Sequence, residues 1–144
     1  MERIAALVAT LAAGIFAGAA VYITLVEHPA RMSNGPALAL AEFRPSYRRA
    51  SVMQALLALV GTGAGIERWV VGGERGWLVC ALLLGAVVPF TFLVIFPTNH
   101  RLFDDSLDEA FVQTLLVRWG WLHAVRSLLG MVAFAGFAIL LARS

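Results

Sequence analysis

Three histidines, His28, His100 and His123, occur in this sequence, and each sits at the end of a different apolar run. Much of the remaining chemistry-bearing inventory gathers around them. Glu27 precedes His28, Asn99 precedes His100, and Trp119, His123 and Arg126 fall at i, i+4 and i+7, a spacing that puts all three side chains on one helix face. Three readings of the histidines stand open. Neutral imidazoles converging on one point at about 2.0–2.1 Å could hold a metal ion. His123 could instead act as a general base or a substrate hydrogen-bond partner. In the third reading the rings are amphipathic residues at a membrane boundary. No H-x-x-H or H-E-x-x-H spacing accompanies them.

Arg126 lies about two turns inside an apolar run, where a lone guanidinium is costly, so it is expected to face the bundle interior and to have a partner. Glu27 is the nearest carboxylate in this reading; the alternatives are a snorkelling side chain or a purely structural pair. Trp119 shares the Arg126 stripe and, with Phe43 and Tyr47, could wall a pocket for a flat apolar ligand. Tyr22 and Glu27 complete the expected substrate-binding set.

The elements that must position these residues are legible in the composition. Of 144 residues, 60% are apolar or aromatic and 14% charged, with a mean hydropathy of +0.83, whereas soluble domains carry about a quarter charged residues. Four apolar runs, at about 4–26, 50–71, 77–96 and 119–142, are each close to the roughly 20 residues that cross a bilayer. The expected fold is all-α: a single domain of four transmembrane helices with two ordered loops on one membrane face. The first run is too long for a signal-peptide core and ends in Glu27-His28-Pro29 rather than at a small-residue cleavage site.

Counting crossings puts both termini and the Gly-Gly turn at 68–75 on one face. All three histidines and the two longer loops, 27–49 and 97–118, lie on the other, here called the site face. Gly35-Pro36 is expected to start a short helix that Arg44-Pro45 ends. Ser106-Leu107-Asp108-Glu109 reads as a capping box with Ser106 as N-cap, opening a helix that runs into the fourth span. Pro89 should bend the third span by freeing the Gly85 carbonyl. Gly14 and Gly18 form a G-x-x-x-G that suits close helix packing within the bundle and also leaves a homo-oligomer open.

Other classes fall away. All 11 basic residues are arginine, the net charge is +2 and no like-charge run exists, so no nucleic-acid partner is expected. Cys80 is the sole cysteine, which removes internal disulfide exchange. The expected partners are the lipid bilayer and a small hydrophobic substrate, and the expected location is a bacterial inner membrane. The arginine distribution favours a cytoplasmic site face.

The ordered series Glu27-His28-Pro29-Ala30-Arg31, Phe43-x-x-x-Tyr47-x-Arg49, Pro97-x-Asn99-x-x-Leu102 and Trp119-x-x-x-His123-x-x-Arg126, set against four spans, resembles the anthrone oxygenase-like family of small membrane proteins. The resemblance covers nearly the whole chain. It implies an oxygenase acting on anthrone-like molecules of aromatic polyketide pathways, with Asn99, His123 and Arg126 as catalytic residues and Trp119 among those that bind the substrate. Pro29 and Tyr47 would shape the entrance. Dioxygen would be a co-substrate with no further cofactor; the alternative is copper or iron held by His28, His100 and His123. Outside the enzymes, a small membrane subunit or chaperone remains the competing class.

Overall fold

The computed structural model describes residues 2–144, and within them the backbone is helical with short connections. Four helices, α1 (Glu2–Met32), α2 (Pro36–Gly72), α3 (Arg75–Leu102) and α4 (Glu109–Arg143), are each long and apolar enough to cross a membrane. They run up, down, up and down. Each packs on its neighbours in sequence, and α1 closes the ring against α4.

The loops expected on the site face are largely helix. Only residues 33–35 join α1 to α2, and 103–108 join α3 to α4. Gly35, at φ +82°, turns the chain into α2 with Pro36 in its first turn. Arg44-Pro45 does not end that helix: Pro45 sits inside α2, which continues to Gly72. At 1.5 Å per residue α2 and α4 exceed about 50 Å, so both project well beyond a 30 Å hydrocarbon core. Their projecting ends clasp each other through the α3–α4 connection. Arg44 donates from Nε to the Leu102 carbonyl at 3.0 Å, from Nη2 to the Asp104 carbonyl at 3.0 Å, and pairs with Asp105 at 2.6 Å.

The capping box is also displaced. Ser106 donates from its backbone N–H and its hydroxyl to Asp104 at 2.9 and 2.7 Å, which holds the Asp104 carboxyl below its usual range. Asp108 is the true N-cap of α4, accepting from the Phe111 N–H at 2.8 Å.

Two helices carry widened turns. Residues Ile23–Glu27 of α1 and Thr91–Ile95 of α3 form π-helical turns, closed by His28 N–H to the Ile23 carbonyl and Phe96 N–H to the Thr91 carbonyl. In both, the residue after the one that closes the turn is a proline, Pro29 after His28 and Pro97 after Phe96. Proline has no N–H and its ring crowds the carbonyl four residues earlier, so the helix widens there instead of breaking. Earlier in α3 the helix is interrupted where a bend is expected: the regular helix stops at Gly85, whose carbonyl Pro89 cannot satisfy, and resumes at Val87.

The interior divides into two apolar clusters with a polar layer between them. Below lie Ala13, Phe16, Ala20, Ala58, Trp77, Leu84 and Phe137 with their neighbours; on the site side lie Ile23, Phe43, Ile95, Leu102, Leu116 and Trp119. On α1 the break falls between Ala20 and Ile23, on α2 between Ala50 and Leu57, and on α4 between Leu122 and Leu129, a stretch that holds His123 and Ser127. Small residues bring the helices close enough to bury that layer. At Gly130 a Cβ would lie 2.5 Å from the Phe16 ring, so any larger residue would push α1 and α4 apart. Gly14 likewise packs on Phe134, whereas Gly18 faces open space, so the G-x-x-x-G contributes one close contact to this bundle.

Candidate active site

His123 is set by two hydroxyls. It is 2% exposed, and its Nδ1 lies 3.1 Å from the Thr24 hydroxyl of α1 and 3.3 Å from that of Ser127, one turn along its own helix. Each hydroxyl also reaches backbone carbonyls: Thr24 that of Ala20 at 2.9 Å, and Ser127 those of Ala20 at 3.1 Å and His123 at 2.9 Å. When both hydroxyl protons go to carbonyls, the hydroxyl oxygens face Nδ1 as acceptors. In that arrangement the ring proton sits on Nδ1 and Nε2 keeps its lone pair; the two hydroxyls also lie 2.8 Å from each other, where either can donate.

Arg126 lies one turn further along α4, 7% exposed, with its guanidinium 5.1 Å above the Phe16 ring. Among the described residues no carboxylate pairs with it, and its Nε has no hydrogen-bond partner. The expected partner, Glu27, is engaged elsewhere: it accepts from Arg31, one turn along α1, and from the Ser46 hydroxyl of α2. Arg31 is 1% exposed and is the larger surprise, since its place in the Glu27-His28-Pro29 stretch gives no hint of burial. Its guanidinium sits 5.6 Å from the Phe43 ring centroid and 4.0 Å from Glu42.

The three expected aromatics come together, with Phe43 in the core behind the chamber rather than on its lining. Trp119 lies between two imidazoles, 4.7 Å from His123 and 5.1 Å from His28, and meets Phe43 edge-on at 5.0 Å. Phe43 stacks on Tyr47 at 5.5 Å. Asn99 donates from Nδ2 to the Tyr47 hydroxyl at 2.7 Å while its Oδ1 is unpaired. Tyr22 does not join this group; it is 56% exposed on the outside of α1.

The three histidines do not converge. His28 and His123 flank Trp119, whereas His100 is exposed and stacks on Phe96 at 6.3 Å. Among the described residues no group of three or more His, Cys, Asp or Glu side chains could hold one metal ion. The residues present thus do not fit a three-histidine copper or iron centre.

A chamber of about 20 Å³ lies amid Glu27, Arg31, Tyr47, Gln54, His123 and Arg126. That volume holds about one water-sized molecule. Several polar atoms around it are buried without partners: Gln54 Oε1 and Nε2, Trp119 Nε1, Arg31 Nε and Arg126 Nε. Native proteins leave few such atoms, because each costs roughly 1–3 kcal/mol. Their concentration here marks the layer as a place for a polar guest. Sequence reasoning passed over Gln54, Thr24 and Ser127; a glutamine within an apolar span was the one available signal.

The anthrone oxygenase family profile matches residues 43–136, a stretch that contains Tyr47, Gln54, Asn99, Trp119, His123 and Arg126 but not Thr24, Glu27, His28 or Arg31. The anthrone oxygenase dmxR16 of Cryptosporiopsis sp. is 27% identical over 99% of this chain and 89% of its own length. The anthrone oxygenases nsrD of Aspergillus novofumigatus and tpcL of Aspergillus fumigatus are 42% and 41% identical over 45% and 49% of this chain. For these two, the matched stretch spans 44% and 47% of the relative's length. No solved structure matches the chain. The relatives are fungal, which leaves the expected bacterial inner membrane without support; placement in a membrane rests on the four long apolar helices.

Proposed function

The chain belongs to the anthrone oxygenase family, and we propose from that premise that it is a membrane oxygenase converting the methylene of an anthrone-like substrate to a quinone carbonyl. The observation that carries this reading is a juxtaposition one turn apart on α4. A histidine whose Nδ1 lies against two hydroxyls stands beside a guanidinium that has no carboxylate partner among the described residues.

An anthrone places an acidic methylene across its central ring from a carbonyl. Removing a methylene proton gives an anion whose charge rests largely on that oxygen. His123 Nε2 takes the proton, and Arg126 stabilises the oxyanion in a site screened from water. Asn99, which does not line the chamber, donates to the Tyr47 hydroxyl and so positions the ring that does line it.

The electron-rich carbon reduces dioxygen, and a C–O bond forms to give, after protonation, a hydroperoxide on that carbon. Loss of the second methylene hydrogen with cleavage of the O–O bond yields the carbonyl and water. The first proton passes from His123 to the peroxide oxygen; His123 then takes the second methylene proton as the O–O bond breaks and gives it to the departing hydroxide, which leaves as water. In sum, one methylene and one dioxygen become one carbonyl and one water.

The test is turnover of an anthrone by protein in lipid nanodiscs, with oxygen uptake and quinone absorbance followed together. One quinone per dioxygen is expected. Folded wild-type protein that forms no quinone above the uncatalysed rate would refute the reading.

A further inference from the structure

Beside the chamber, a groove of about 260 Å³ opens between α2 and α3 onto the outer surface of the bundle. Its mouth is formed by Val52, Ala55 and Phe92, all exposed. Its inner end is formed by Tyr47, Ser51, Gln54 and Arg126, and these same four side chains also line the chamber. The groove lies along the interrupted part of α3, between the break at Gly85 and the widened turn at Thr91–Ile95. Thr91 turns its hydroxyl back onto the Val87 carbonyl at 2.6 Å, so that wall presents apolar surface.

The volumes decide where a polycyclic molecule would lie. The chamber has room for one water-sized molecule, the groove for something near the lower end of the roughly 300–1,000 Å³ range of small-molecule sites. Ring atoms therefore belong in the groove, with the reacting edge turned toward the chamber. At the junction stands Gln54, 1% exposed, with both amide atoms unpartnered. An amide offers one acceptor and one donor side, and a phenolic hydroxyl can answer both at once.

We propose that the α2–α3 groove is the substrate's seat and its way in from the bilayer, and that Gln54 at its inner end selects a ring-hydroxylated aromatic ketone. This rests on the oxygenase reading for the identity of the substrate, not for the existence of the port. A substrate lacking the hydroxyl leaves the buried amide unpaired, which is the arrangement that discriminates strongly between analogues.

The experiment uses full-length protein in nanodiscs with two probes, a dihydroxyanthrone and unsubstituted anthrone, and reads binding of the corresponding anthraquinones separately from turnover. Wild-type protein is expected to prefer the hydroxylated probe, and Gln54→Leu to reduce that preference by about tenfold or more with an unchanged melting temperature. Ala55→Trp, at the mouth, should raise KM for both probes about tenfold and leave kcat near wild type. Val117→Trp, exposed on α4 away from the groove, should alter neither. An unchanged preference in Gln54→Leu overturns the selector, and an unchanged KM and quinone affinity in Ala55→Trp overturns the port. Quinone binding that responds to both substitutions in a protein that turns over neither anthrone would uphold the groove and refute the oxygenase reading.

Discussion

The hydroxyl of Thr24 on α1 lies 3.1 Å from Nδ1 of His123 on α4, so the candidate base is held by a neighbouring helix as well as by its own. Thr24→Val keeps the shape and removes the acceptor. Because Ser127 stands 3.3 Å from the same nitrogen, a partial loss of kcat is expected, about tenfold, with the Thr24→Val/Ser127→Ala pair approaching the loss of about 10²–10⁴ expected for His123→Gln. Steady-state quinone formation by the three variants checks this order. A double variant as active as wild type would remove the tautomer argument.

Arg126 has a ring beneath it and no anion beside it. Arg126→Met should lower kcat by about 10²–10³, the loss typical of one oxyanion donor. Arg126→Lys should recover little, since an ammonium cannot present the planar donor set of a guanidinium. Single-turnover rates separate this from weaker substrate binding, and full recovery by lysine would mean that charge alone matters.

Glu27 and Arg31 form an ion pair in which the arginine is the more deeply buried member. Glu27→Gln leaves that guanidinium beside only Glu42, at 4.0 Å, and should cost about 3–5 kcal/mol. Arg31→Met, which strands the more exposed Glu27, should cost less. Thermal unfolding in detergent compares the two, and the opposite ranking would mean that the pair is held together by something other than burial.

At Gly120 a Cβ would lie 2.6 Å from Nε2 of His28. Gly120→Ala should therefore push the imidazole off Trp119 and destabilise the fold by about 1–3 kcal/mol. Placing His28→Ala in the same chain should remove most of that penalty, a coupling that a double-mutant cycle reads directly. Strictly additive losses would show that His28 moves aside freely.

The four helices were legible because long apolar runs have few other uses, and the aromatic wall followed from the i, i+4, i+7 stripe on α4. Helix ends were less legible. Pro45 looks like a terminus, yet α2 runs through it because its flanks are packed against α4 and the α3–α4 connection. Ser106 looks like a cap, but Asp104 engages it first. In the polar layer, Glu27 was matched to the wrong arginine because proximity along a depth axis does not say which helix faces turn toward each other. Thr24 and Ser127 escaped notice because hydroxyls that bond carbonyls within helices cost little in an apolar run. The arginine count used for orientation is also weakened, since Arg31, Arg44 and Arg126 have internal contacts that explain their presence without reference to a membrane potential.

The widened turns ahead of Pro29 and Pro97 carry a consequence for phase. One extra residue in a helical turn rotates everything that follows by about 100°. His28 and Asn99 therefore point where they do because of the residues preceding them, and a helical wheel drawn from the start of α1 or α3 misplaces both. Deleting a single residue within Ile23–Glu27 would straighten the helix and swing His28 away from Trp119 without altering either side chain. When chains of this family are aligned, a one-residue gap at either position amounts to a change of aim.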